Sequence, residues 1–121
     1  AVDTSGSISM EDLKTFFTEM ESILKTLSGS SLTLVQWDTE VKKVCEYKQG
    51  MWRNIEVVGR GSTDVQCVFH QIKDMKRQKD IVLMCTDGYF DFDIDLCGVQ
   101  PIWITTANEV PLGLNIRLEE E

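Results

Sequence analysis

Five consecutive apolar residues, Ile81-Val82-Leu83-Met84-Cys85, follow Lys79-Asp80 and end at Thr86-Asp87-Gly88. A run of that length without polar alternation suits a strand buried on both faces, as strands of parallel sheets are. Such a strand needs helices above and below it, and the chain offers two. Ser9 with Asp12 three residues on forms a capping pattern that predicts a helix start. Leu13, Phe16, Phe17, Met20, Ile23, Leu24 and Leu27 follow at steps of three and four, the strongest periodic signal in the chain. Ser28-Gly29-Ser30-Ser31 predicts its end. A second helix is predicted after the loop Gly59-Arg60-Gly61-Ser62, with Val65, Val68, Phe69, Ile72 and Met75 on its apolar face.

The remaining apolar segments supply strands. Leu32–Trp37 and Val41–Tyr47 read as two strands joined by the turn Asp38-Thr39-Glu40, hence one antiparallel pair. Residues 49–58 are ambiguous, and Trp52 within them is unplaced. Pro101–Thr105 reads as a strand, and Leu114, Ile116 and Leu118 alternate as in a short edge strand. Val2-Asp3 reads as the last step of a strand whose body lies upstream. An apolar strand of about six residues, and another domain before it, are expected ahead of Ala1. The fold expected is α/β: a Rossmann-like, doubly wound, mostly parallel sheet with one antiparallel strand and a truncated first strand. The chain of 121 residues suits one domain spanning 1–121, expected to be the C-terminal part of a longer protein.

Charge and cysteines narrow the partners. A net charge of −8 argues against nucleic acid, which demands clustered Lys and Arg, and is compatible with a cation site. No apolar run approaches the roughly 20 residues that span a bilayer, so no membrane is expected. Cys45, Cys67, Cys85 and Cys97 form no C-x-x-C pair and no zinc-like cluster. They read as reduced thiols, in keeping with a cytoplasmic setting.

Three polar clusters fall at equivalent places in this topology. Asp3-Thr4-Ser5-Gly6-Ser7 follows the first strand, Ser62-Thr63-Asp64 opens the second helix, and Thr86-Asp87-Gly88 follows the apolar strand. Loops at the carboxyl ends of strands in open α/β sheets converge, so the three clusters are expected to meet. They carry carboxylates and hydroxyls but no thiols or imidazoles, a donor set for hard cations: Mg²⁺ first, with Mn²⁺ and Ca²⁺ as alternatives. Gly6 permits the tight turn that would let Asp3, Ser5 and Ser7 point inward together.

Asp3-x-Ser5-x-Ser7, a loop threonine and Thr86-Asp87-Gly88 together resemble the metal-ion-dependent adhesion site of von Willebrand factor A (VWA) domains. The resemblance is closest to bacterial VWA-like domains found C-terminal to a putative metallopeptidase region. It rests on Asp3 to Ile8, Gly59 to Asp64, Thr86 to Tyr89, Trp103 and Pro111-Leu112-Gly113, in order along nearly the whole chain. It implies that Asp3, Ser5, Ser7, Thr63 and Asp87 hold the metal and leave a coordination position for an acidic group of a protein partner. Asp38 is implied as a nearby supporting acid, and Asp64 is expected to cap the second helix. Arg60 and Ser62 replace small residues of the family's glycine loop, and Arg60 is placed to shape partner choice or cation affinity. The resemblance also implies work beside a MoxR-type AAA+ ATPase.

Other features have plainer readings. Asp91, Asp93 and Asp95 lack the glycine and terminal Glu of an EF-hand loop and read as a solvated acidic face. His70 lies off the apolar stripe of its helix and reads as a surface residue. Trp37 and Trp103 read as core, and Glu119-Glu120-Glu121 as a solvated tail. Enzyme signatures are missing: no paired Asp-Thr-Gly, no second Asp two residues after Asp3, no H-E-x-x-H. The expected function is therefore a divalent-metal-dependent protein-binding module, not an enzyme. The alternatives are a metal-activated hydrolase and a structural domain whose metal staples loops.

Overall fold

A computed structural model of the chain describes residues 1–26, 32–51 and 56–118. The apolar run becomes a central strand, and the elements follow the predicted order. These are β1 (Val2–Asp3), α1 (Met10–Thr26), β2 (Leu32–Trp37), β3 (Val41–Tyr47), α2 (Gln66–Asp74), β4 (Val82–Thr86), β5 (Pro101–Thr105) and β6 (Leu114–Arg117). They build one sheet in the order β3-β2-β1-β4-β5-β6. Among the described residues only β2 and β3 pair antiparallel. The fold is thus the expected doubly wound α/β sheet.

Each helix buries its apolar stripe on a different face. Leu13, Phe16, Phe17 and Met20 of α1 pack with Val2, Leu34, Cys85 and Ile104. Val68, Phe69 and Ile72 of α2 pack with Trp37, Met84 and Trp103, the two tryptophans fully buried. Phe69 and Phe90 flank Trp103 with ring centroids at 6.1 and 5.5 Å. Apolar side chains of this size contribute about 1.5–3 kcal/mol each on full burial, so the two faces dominate the stability of the fold. The start of α1 is fixed as predicted: the Asp12 N–H donates to Ser9 Oγ at 3.0 Å, and the Ser9 N–H to Asp12 Oδ2 at 3.4 Å. The expected end of that helix, from Leu27 to Ser31, lies outside the described residues, as do Trp52 and Glu119-Glu120-Glu121.

The segment after Gly88 keeps a two-residue alternation without being a strand. Phe90, Phe92, Ile94 and Leu96 turn into the core on the α2 side, while Asp91, Asp93 and Asp95 face outward. Its backbone is satisfied locally. Asp91 and Asp95 accept the N–H groups of Asp93 and Cys97 at 2.9 Å each, and the Gln66 side chain clamps Asp95 through both its amide and its carbonyl.

At the short strand β1, the Ala1 nitrogen donates to the Leu83 carbonyl at 2.6 Å. Beyond it, Leu32, Leu34 and Val35 of β2 and Val82 and Leu83 of β4 line an apolar cavity of about 80 Å³. At the far edge, Leu114 and Ile116 alternate as predicted, but they stay 62% and 48% exposed, because β6 is the last strand of the sheet. All four cysteines are free. Burial pushes the Cys85 thiol up to about 11, which keeps it protonated and unreactive. No helix among the described residues is long and apolar enough to cross a membrane.

Candidate metal centre

The strand order reverses at β1, whose neighbours are β2 and β4. Loops leaving the carboxyl ends of strands at such a point frame a crevice. Asp3 is the last residue of β1 and Thr86 the last of β4, so the topology sets their side chains beside each other although 83 residues separate them.

Asp3 is fully buried. Its Oδ1 accepts the Ser5 N–H at 2.9 Å and its Oδ2 accepts the Thr86 hydroxyl at 2.7 Å. Burial pushes its carboxyl above the ordinary range. The hydrogen bonds from Ser5 and Thr86 oppose that shift, and the nearby Asp87 charge adds to it. The turn at Gly6 brings the Ser5 and Ser7 hydroxyls within 3.2 Å of each other, Ser5 buried and Ser7 exposed.

Asp87 is 4% exposed and fixed from both sides. Its Oδ1 accepts the Tyr89 N–H at 3.2 Å, and its carbonyl accepts the Asn108 N–H at 2.9 Å. Gly88 follows at φ +81°, where a Cβ would come within 2.0 Å of the Asn108 carbonyl oxygen. Only glycine serves there, which gives the Thr86-Asp87-Gly88 step a steric reason.

The glycine loop braces this arrangement from the other side. The Gly6 N–H donates to the Gly61 carbonyl at 2.7 Å, and the Arg60 N–H to the Thr4 carbonyl at 2.7 Å. Arg60 takes a positive φ of 75°, and its guanidinium donates to the Ile8 carbonyl, so its charge is held by the loop that precedes α1. Asp38 serves as the loop's anchor. Its carboxylate accepts the N–H groups of Gly61, Thr39 and Glu40. Desolvation pushes the Asp38 pKa up, but these bonds, with Lys42 at 3.8 Å, outweigh it and hold the carboxyl below its usual value. A Cβ at Gly61 would come within 2.8 Å of Asp38 Oδ2.

The structure therefore brings Asp3, Ser5 and Ser7 together, with Asp87 beside them. Thr63 is half-buried in the loop before α2, where it lines a depression of about 390 Å³ with Asp64, Phe90, Asp91 and Asp93. Asp64 accepts the N–H of Gln66, the first residue of α2, at 3.1 Å in an Asx turn. The N-cap position itself is Val65, which makes no side-chain cap, so Asp64 stands one residue ahead of the cap it was expected to supply. His70 is exposed, as expected. Two residues matter that the sequence did not single out. Thr86 links Asp3 to Gly88 through one hydroxyl, and the hydroxyl of buried Thr4 lies between the Trp37 and Val58 carbonyls, 2.9 and 2.7 Å away, which share its single proton. Among the described residues no three Asp, Glu, His or Cys side chains gather into a metal-holding group. The cluster thus offers two carboxylates with hydroxyls beside them.

The VWA-like domain family DUF2201 matches residues 1–119. The chain belongs to that family. Over 93 residues, 77% of its length, this VWA-like domain is also 40% identical to an uncharacterized protein of Thermotoga maritima. The chain spans about a quarter of that relative, since the match covers 23% of it.

Proposed function

We propose that this VWA-like domain is a divalent-metal-dependent protein-binding module of the adhesion-site kind. In this reading Asp3, Ser5, Ser7, Thr63 and Asp87 hold a Mg²⁺, for which Mn²⁺ or Ca²⁺ can substitute. The observation that carries it is the Asp3 cluster: a buried carboxylate fixed by Ser5 and Thr86, paired serine hydroxyls at 3.2 Å, and a second buried carboxylate on the adjoining loop. Oxygen donors alone suit a hard cation. Two buried acids near each other repel, and a cation relieves that repulsion.

The bound ion supplies a positive charge at the crevice mouth, where a carboxylate of a partner protein coordinates. Mg²⁺ is commonly held by one or two carboxylates and keeps other positions open, which matches this donor count. Thr86 and the Ser5 N–H orient Asp3. Asp38 and Arg60 fix the glycine loop against the Asp3 turn. Both carboxylates of the cluster, Asp3 and Asp87, are engaged as metal ligands in this reading, which leaves neither as a general base and favours binding over a metal-activated hydrolase. The resemblance to bacterial VWA-like domains extends the proposal to a cytoplasmic domain at the C-terminal end of a longer protein, after a metallopeptidase-like region, and to work beside a MoxR-type AAA+ ATPase.

Calorimetric titration with Mg²⁺ tests the core of this reading. One-site binding is expected for the native domain and none for the variant carrying Asp3→Ala with Asp87→Ala. Absence of binding to the native domain, or equal binding by the double variant, overturns it. A metal that only staples loops would leave partner capture intact after those substitutions.

A further inference from the structure

Beside the Asp3 cluster runs an open groove of about 500 Å³ lined by Ser7, Asp87, Tyr89, Thr106 and Arg117 among others. Arg117 ends β6, in register with Thr105 of β5 at the carboxyl end of the sheet. It is exposed and makes no ion pair among the described residues, where the paired cations are Lys42 and Arg77. Tyr89 is 63% exposed and lines the groove, and its backbone N–H is bonded to the Asp87 carboxylate. Asp12 also lines the groove, but its carboxylate faces the Ser9 N–H at the positive end of α1.

The charge of the whole chain sharpens what this groove can take. At −8 the domain repels an acidic protein at long range. An acidic partner must then be held by short-range positive points, and the groove joins two: the metal position at Ser7 and Asp87, and Arg117. Exposed Tyr and Arg are residue types that recur as anchors of protein interfaces.

Resting on the metal-dependent reading above, we propose that the groove receives an extended segment of a partner protein that carries two acidic side chains. One carboxylate completes the metal and the second pairs with Arg117, while the segment lies across the Tyr89 ring. Arg117 is then a specificity residue that separates two-acid segments from single acids.

The test is an NMR titration of the ¹⁵N-labelled domain in saturating Mg²⁺ with acetylated, amidated glycine peptides. They hold one Asp, or two Asp spaced one, two or three residues apart. At least one two-acid peptide is expected to bind about three- to fivefold tighter than the single-acid peptide, the upper part of the range for an exposed ion pair. Arg117→Gln is expected to erase that preference without weakening Mg²⁺ binding, and Lys73→Gln, an equal change of charge on α2, to keep it. Tyr89→Ala is expected to weaken all the peptides. Equal affinity for one- and two-acid peptides at every spacing, or a preference that survives Arg117→Gln, overturns this inference and leaves the metal reading standing. Failure of any peptide to perturb the Ser7 and Asp87 resonances in Mg²⁺ overturns the acid-accepting function itself, and this inference with it.

Discussion

Two acidic regions differ in how they are assembled: one joins Asp3 and Asp87 from distant parts of the chain, the other is the contiguous stretch Asp91 to Asp95. Asp3 and Asp87 are buried, near each other, and held by hydroxyl and backbone donors on facing loops. Asp91, Asp93 and Asp95 are exposed on one extended segment, and two of them accept backbone N–H groups of their own segment. The first pair bears an electrostatic cost that the proposed cation would relieve. The second set is hydrated, and its local bonds replace the sheet partners that the segment lacks. Counting carboxylates would rank the second region as the better cation site. Burial, mutual repulsion and convergent hydroxyls point to the first.

The sharpest way to break this contrast is to disturb the backbone that sets it. Gly88→Ala would drive a Cβ to 2.0 Å from the Asn108 carbonyl at a positive φ, so the loop carrying Asp87 must move. A loss of about 3 kcal/mol or more is expected, combining left-handed strain with overpacking. Urea denaturation checks it. An unchanged midpoint would mean that the loop is softer than its packing implies. Next in size is the response to metal. At 100-fold excess over its dissociation constant, Mg²⁺ is expected to add about 2.7 kcal/mol of stability. Asp3→Ala with Asp87→Ala should abolish that gain, and combined substitution of Asp91, Asp93 and Asp95 by Asn should leave it in place. Thermal melts with Mg²⁺ and with EDTA decide, and a gain lost only in the second variant would reverse the assignment of the two regions.

Most of the fold and part of the site were legible in the sequence, and the division has a physical basis. The stripe of α1, the capping pair Ser9 and Asp12 and the doubly buried β4 are local signals, readable from spacing alone. Asp3, Ser5 and Ser7 are equally local, because one tight turn at Gly6 joins them. The role of Thr86 was not legible, since its bond to Asp3 depends on β1 and β4 being neighbours. Thr4 escaped notice for the same reason, its acceptors being Trp37 and Val58. The burial of Leu114 and Ile116 depends on which strand ends the sheet, and no alternation pattern states that. The bonds made by Asp91 and Asp95 are a different case. An Asp that accepts the N–H two residues on is a local habit, and Asp91-x-Asp93 and Asp95-x-Cys97 carried that signal.

A smaller effect tests the cost of burying Asp3. In EDTA, Asp3→Asn keeps the shape of the side chain and removes the charge. The variant is expected to be more stable than the native domain at pH 7 by about 1 kcal/mol or more, the low end for neutralising a buried charge, while losing the response to Mg²⁺. The sign follows from the carboxyl itself. Its folded pKa is raised, so its contribution to stability is fully present below the unfolded value of 3.8 and is lost as the pH rises through the folded one. The advantage of Asn should therefore vanish on acidification below 3.8. Lower stability of the variant at pH 7 would show that the Ser5 and Thr86 bonds outweigh desolvation.

The smallest effect belongs to the exposed series. Asp95→Ala removes the acceptor for the Cys97 N–H but leaves the backbone clamp to Gln66, which uses the Asp95 amide and carbonyl. A loss of about 0.5–1 kcal/mol is expected, the net worth of one hydrogen bond whose orphaned donor is reachable by water. Asp93 accepts no bond among the described residues, so Asp93→Ala should cost less still, within about 0.5 kcal/mol of zero. Urea midpoints of the two variants measure the gap. If Asp93→Ala proves the more damaging, the outward acids are coupled by more than their local turns, and the second region would need a role beyond keeping a partnerless segment extended. If the order holds, the alternation of Phe90, Phe92, Ile94 and Leu96 against the acids is a packing device, with the aspartates closing turns where a sheet would otherwise supply the partners.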